Sequence, residues 1–230
     1  MFSYYGSKSK VIDLYPAPRY DKIIEPFAGS ARYALKWFDR DVTLIDKYET
    51  IIRVWQYLQR CSPADILGLP DLRTGDNVKD FTLADEERWL IGFCINQGSA
   101  SPKLKAKDFN DWPRNKRVIA DSLFKIKHWD IRLGTFEDAP DCEATWFIDP
   151  PYQVGGEWYV NSNKTMDYAA VSSWCKSRRG QVIVCENTKA DWLPFWPIGK
   201  MGGAYSATTE AMWSNEVAQL QMTFDTATPA

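Results

Sequence analysis

The sequence predicts an α/β fold, an open sheet of strands alternating with helices and carrying a loop-rich, largely helical insertion. Three observations carry that prediction. Short, bulky apolar runs recur and end on acids: Ile23-Ile24-Glu25, Val42-Thr43-Leu44-Ile45-Asp46 and Trp146-Phe147-Ile148-Asp149. Runs of this length and composition read as buried strands. Helical periods lie between them; Ile51, Ile52, Val54, Trp55 and Leu58 form one face of a predicted helix from Tyr48 to Leu58. Finally, residues 60 to 130 lack strand patterning and are broken early by Pro63, Gly68, Pro70 and Gly75. Strands alternating with helices imply a sheet covered on its faces by those helices.

The strand elements run in order. Lys22 to Glu25 is a strand that Pro26 ends, and Phe27-Ala28-Gly29-Ser30-Ala31 is a turn from which Ser30 or Ala31 starts a helix. Such a turn can present backbone N–H groups to a carboxylate or phosphate. It is neither a Walker loop nor a dinucleotide fingerprint, because the required glycine and lysine spacing is absent. Val42 to Asp46 is the second strand. Its terminal Asp46 is placed either to hold ribose hydroxyls or to cap the following helix. A helix is expected from Leu83 or Asp85 to about Phe93, with Trp89, Leu90 and Phe93 inward, then a polar loop from Asn96 to Pro102. Asp130 to Asp138 returns to strand patterning and could lie under a cofactor's adenine. Gln181 to Asn187 is a further buried strand after a helix from Tyr168 to Cys175. Trp213 with Val217, Leu220, Met222 and Phe224 suits a late antiparallel strand.

Composition narrows the function. The 230 residues suit one domain or one domain with a large insertion, and 45% hydrophobic with 25% charged residues is ordinary for a globular chain. Net charge is −2, so any nucleic-acid face must be local. Five cysteines without a CxxC pair and one histidine argue against a metal site and for reduced, buried thiols in a cytoplasm. His128, beside Trp129, reads as a packed residue. No signal peptide or membrane span is evident. Between 103 and 132, nine basic residues face four acidic ones, a local excess of about +5. Lys103, Lys105, Lys107, Arg114, Lys116 and Arg117 are the candidate phosphate contacts, with Phe109 and Trp112 interleaved for base stacking.

The stretch Asp149-Pro150-Pro151-Tyr152 carries the chemistry. Two prolines force the chain out of the sheet at the strand's carboxyl end, where open α/β sheets place ligands. Asp149 offers carboxylate oxygens, and Pro150 offers a carbonyl without an N–H. Together they suit an exocyclic amine, and Tyr152 adds a face for a base. Gln153 to Tyr159 follows as an aromatic stretch that could close over that base. Near the start, Tyr4 could face an adenine or a sulfonium, and Lys8 could bind a carboxylate.

Asp149-Pro150-Pro151-Tyr152 matches the DPPY motif of amino-methyltransferases. With Gly-Ser-Lys at 6–8, Glu25-Pro26-Phe27-Ala28-Gly29-Ser30 and Ile45-Asp46-Lys47 in that order, the chain resembles the Dam-like (class alpha) DNA adenine-N6 methyltransferases over its whole length. The resemblance implies a Rossmann-like S-adenosylmethionine-dependent methyltransferase sheet with a small, mostly helical inserted target-recognition region, S-adenosylmethionine as cofactor, double-stranded DNA as partner, and no metal. It places the cofactor's contacts at Tyr4, Lys8, Glu25, Pro26, Phe27, Gly29, Ser30, Asp46 and Asp149. It places catalysis at Asp149, Pro150, Pro151 and Tyr152, acting on a flipped adenine. It implies a catalytic domain of residues 1–54 and 133–230 and a target-recognition region at 55–132. Tyr4 stands where the family has tryptophan, Ser7 where it has a glycine, and Ala31 where the turn's last glycine falls. Another amine target, or a catalytically inactive DNA-binding relative, is the alternative.

Overall fold

A computed structural model describes residues 1–2, 4–95, 99–108, 111–202 and 207–216. Strands β1 (Lys22–Glu25), β2 (Asp41–Asp46), β3 (Asp130–Leu133), β4 (Glu143–Ile148), β5 (Arg179–Asn187), β6 (Trp196–Gly202) and β7 (Ala207–Ser214) form one sheet in the order β3-β2-β1-β4-β5-β7-β6. The first five are parallel, and β7 runs antiparallel between β5 and β6. The mixed α/β fold is the one expected.

Alternation along each strand explains the layers. Ile23, Leu44, Phe147 and Ile183 point into one buried cluster, and their neighbours Ile24, Ile45, Trp146, Ile148 and Val182 into another. A sheet buried on both faces needs such near-continuous apolar strands. The first face is covered by α1 (Arg32–Lys36), α2 (Glu49–Arg60) and α4 (Asp85–Cys94), through Tyr33, Trp55 and Phe93. The second is covered by α6 (Tyr168–Ser177), through Val171 and Cys175.

The chain runs from β1 to β2 and β3 on one side, then returns to place β4 on the other side of β1. That reversal opens a crevice at the carboxyl ends of β1 and β4.

The segment between β2 and β3 is helical, with α3 (Pro63–Gly68), α4 and α5 (Trp112–Ser122). It is not a body apart: Leu90, Phe93, Trp112 and Ile119 share one buried cluster with the sheet. The expected boundary at 55 falls inside α2, whose buried face packs on the sheet.

Several expectations shift. The helix after the turn begins at Arg32, with Ala31 before it in a left-handed conformation at φ 46°. Asp46 does not cap α2, whose N-cap is Tyr48 without a side-chain bond. Trp89 is only half-buried, with the Arg53 guanidinium 4.7 Å from its ring. His128 is exposed rather than packed, its Nε2 lying 3.0 Å from the Arg40 carbonyl. The strand expected at 130–138 stops at Leu133, where Gly134 and the capped turn Thr135–Asp138 take over. Cys61, Cys94, Cys175 and Cys185 are buried and Cys142 is half-buried. No described helix is long and apolar enough to cross a membrane. Strand β6 was not anticipated, because Trp196-Pro197-Ile198-Gly199 carries a proline and a glycine against strand patterning. Asn96 to Gly98 of the polar loop, Phe109, Val217, Leu220, Met222 and Phe224 lie outside the described residues.

Candidate active site

A pocket open to solvent lies over the carboxyl ends of β1, β2 and β4. It joins the N-terminal turn (Tyr4, Lys8), the β1 turn (Phe27, Gly29, Ser30) and the β2 and β4 ends at Asp46 and Asp149.

The β1 turn is fixed by backbone. Gly29 has φ 45°, and its N–H donates to Asp46 Oδ2 at 3.0 Å. The Tyr48 N–H donates to Asp46 Oδ1 at 2.8 Å, so one carboxylate ties two loops. Burial pushes the Asp46 carboxyl up, and those two N–H groups oppose it. A Cβ on Gly29 would stand 3.2 Å from the Tyr4 ring, so the turn is a cradle that a side chain would crowd. Trp55 Nε1 donates to the Gly29 carbonyl at 2.9 Å and holds the turn from below. Glu25 is buried; its Oε1 accepts the Ala34 N–H at 2.6 Å, and burial lifts its carboxyl to about 8 against that bond.

The β4 corner is fixed by side chains. Lys8 Nζ lies 2.7 Å from Asp149 Oδ1 and 3.9 Å from Glu210 Oε1. The first contact is an ion pair rather than a well-directed hydrogen bond, since that oxygen meets no hydrogen-bond geometry. Burial alone would lower the Lys8 ammonium, but Asp149 and Glu210 outweigh it and raise it. Burial lifts the Asp149 carboxyl to about 6, with Lys8 working the other way. The following loop is clamped by β5: Glu186 Oε1 accepts the Gln153 N–H at 2.5 Å, and Asn187 Nδ2 donates to the Val154 carbonyl at 2.7 Å.

The structure brings Tyr4, Lys8, Glu25, Phe27, Gly29, Ser30, Asp46, Asp149 and Pro151 into this one cavity. Pro26 and Pro150 are buried beside it rather than lining it. Tyr152 also stands behind the wall. The Lys8 ammonium lies 4.6 Å over its ring, and its hydroxyl donates to Glu210 Oε1 at 2.5 Å. The aromatic wall beside Asp149 is Tyr159, which meets Tyr4 and Tyr5 edge-on. Lys8 is likewise spent on Asp149, and the cation lining the cavity near Ser7 is Arg32, whose Nε donates to Ser7 Oγ at 3.0 Å. Sequence reasoning missed Arg32 and Glu210; neither belongs to a local pattern.

The candidate phosphate contacts divide. Lys103, Lys105, Lys107, Arg114 and Arg117 are exposed. Lys116 is buried, bonding the Leu69 carbonyl at 2.9 Å and pairing with Asp71 at 2.6 Å, so it staples α5 to the loop after α3. Trp112 is fully buried, with Nε1 on the Pro70 carbonyl at 2.8 Å, and offers no face to a base. Among the described residues, no three His, Cys, Asp or Glu side chains cluster as a metal site.

No family model matches the chain, and no curated protein matches it. Among solved structures it is similar to the candidate methyltransferase yhhF of Escherichia coli, at 9% identity and a TM-score of 0.35 over 89% of this chain and 78% of that one. At those values the likeness carries no weight beside the site itself.

Proposed function

We propose that the protein is an S-adenosylmethionine-dependent methyltransferase that acts on the N6 amine of adenine in DNA. One observation carries the reading: the Asp149 carboxylate and the Gly29–Asp46 turn open into the same cavity at the sheet's switch point.

The residues fit such a cofactor. Gly29 leaves room that a side chain would take, and the Tyr4 ring beside it offers a π-face to a cation. Asp46 uses one lone pair on each oxygen for the turn, and a carboxylate has about four acceptor sites, so ribose hydroxyls can still be held. Arg32 and Ser30 would face the amino-acid carboxylate. Bound there, the cofactor supplies an electrophilic methyl group.

The chain's own task is to present the amine. Asp149 accepts an N–H of the adenine amine, which keeps the nitrogen lone pair from being drawn into the ring. Tyr159 and Pro151 wall the space that a flipped base would enter. Lys8 touches only Oδ1, which takes no hydrogen bond, so the carboxylate keeps lone pairs for that amine. Positioning supplies most of the acceleration. The exposed Lys103, Lys105, Lys107, Arg114 and Arg117 would hold the duplex by its phosphates.

The test is to incubate the protein with unmethylated double-stranded DNA and S-adenosylmethionine, then digest to nucleosides. N6-methyladenine is the expected product. Modified cytosine would move the target to another amine, and unmodified DNA together with no heat of cofactor binding would overturn the assignment.

A further inference from the structure

Trp158 is the most exposed large apolar side chain among the described residues, 75% open to solvent, and it is the chain neighbour of the cavity-lining Tyr159. Its exposure is not that of a loose loop. Glu157 and Trp158 are the central residues of a turn closed by the Tyr159 N–H on the Gly156 carbonyl at 3.4 Å. Both ends of the turn are seated. Gly156 is buried against the Tyr152 backbone, with which a Cβ would collide. The Tyr159 hydroxyl rests on Gly6, where a Cβ would collide with it. With its ends fixed inward, the turn presents its centre outward.

The charges around the turn are sorted. Its feet are tied by Asn163 Nδ2 to the Gln153 carbonyl at 2.9 Å and by Asn187 Nδ2 to the Val154 carbonyl at 2.7 Å. Beside these ties stand Lys164 and Lys189, both exposed and neither ion-paired among the described residues. The acids turn back on the loop instead: Glu157 accepts the Gly155 N–H at 3.4 Å, and Asp191 accepts Gln153 Nε2 at 3.0 Å. A presented indole flanked by two available cations fits a polyanion whose units stack, which is a nucleic acid and not an apolar protein face.

A base that leaves a duplex for the cavity leaves a gap in the stack, and the unstacking costs free energy. An aromatic ring in that gap restores two stacked faces, as apolar wedges do in bent DNA. We infer that Trp158 enters the duplex stack in the place the flipped adenine vacates, with Lys164 and Lys189 on the flanking phosphates. This rests on the reading of duplex DNA as substrate. It assigns the two neighbours opposite tasks, Tyr159 inside the cavity with the base and Trp158 outside it with the duplex.

Two measurements on the full chain test it. In a crystal structure with S-adenosylhomocysteine and a duplex that the protein methylates, the indole is expected about 3.5–4.0 Å from the base pairs flanking the flipped adenine. An indole left in solvent, or packed on protein or on the sugar-phosphate backbone, overturns the proposal. Trp158→Ala removes the ring and Trp158→Phe keeps one. Single-turnover methylation of that duplex should fall about tenfold or more in Trp158→Ala and stay within about threefold in Trp158→Phe, while affinity for S-adenosylmethionine stays within about twofold in both. An unchanged rate in Trp158→Ala, equal losses in the two variants, or a cofactor affinity that falls as far as the rate overturns the proposal. A wild-type protein that methylates no DNA defeats the functional reading itself, and is told apart because it needs no variant.

Discussion

Two acids sit at the ends of β2 and β4 and face one cavity, yet they are held in opposite ways. Asp46 is locked by two backbone N–H groups of its own loops. Asp149 is held by the tip of a lysine side chain from residue 8. A backbone lock cannot be exchanged without remodelling the turn, whereas a side-chain partner can swing away. The first suits a seat that stays the same through a reaction, and the second an acceptor whose lone pairs are left for an incoming amine. The proposed division between cofactor seat and reacting corner follows from that difference.

The sharpest way to break the comparison is to truncate each acid. Asp149→Ala should lower the methylation rate on the order of 10³-fold or more, with the melting temperature and cofactor affinity nearly unchanged. Asp46→Ala leaves two backbone N–H groups without their acceptor, and should cost about 1–3 kcal/mol of stability together with cofactor affinity. Equal effects of the two in thermal melts and titrations would erase the distinction. A narrower probe is Gly29→Ala. Its positive φ and the nearby Tyr4 ring predict a loss of about 1–2 kcal/mol by denaturant titration.

The acids also differ in how pH reaches them. Asp149 must be ionised to accept an amine, and burial raises its carboxyl to about 6. The rate should therefore fall as pH drops through about 6. Glu25 runs the other way in stability. Its folded carboxyl titrates at about 8, above the ordinary unfolded value, so the folded state holds the extra proton. Stability should fall as pH rises toward 8, and Glu25→Gln, which keeps the acceptor for the Ala34 N–H, should flatten that slope.

The smallest effects sharpen the contrast within the basic segment. Replacing Arg114 and Arg117 with alanine should weaken DNA binding and reduce its salt slope by about 1 per phosphate contact, without touching stability. Lys116→Met should do the reverse. It leaves the Leu69 carbonyl without its donor, costs about 1–3 kcal/mol, and leaves DNA affinity alone.

What the sequence disclosed follows the same line between local and distant. The strands β1, β2, β4 and β5 were readable because buried parallel strands are written as apolar runs. The β1 turn and the Asp149 corner were readable because glycine and proline fix backbone locally. Lys116 and Trp112 were misread, since a basic residue or an aromatic in a loop-rich segment looks alike whether it faces solvent or a neighbouring carbonyl. Tyr152 was misread because its partner Glu210 lies 58 residues away on a strand that only sheet register brings near. The displacement of Lys8 onto Asp149 has the same origin: nothing near residue 8 signals a carboxylate arriving from β4.

The central claim is that cofactor seat and amine acceptor share one cavity. A crystal structure with S-adenosylhomocysteine tests it most directly. The account predicts the ribose on Asp46, the adenosine moiety along the Gly29 turn, and the sulfur facing Asp149. A ligand bound elsewhere, or one whose sulfur points away from Asp149, would contradict it.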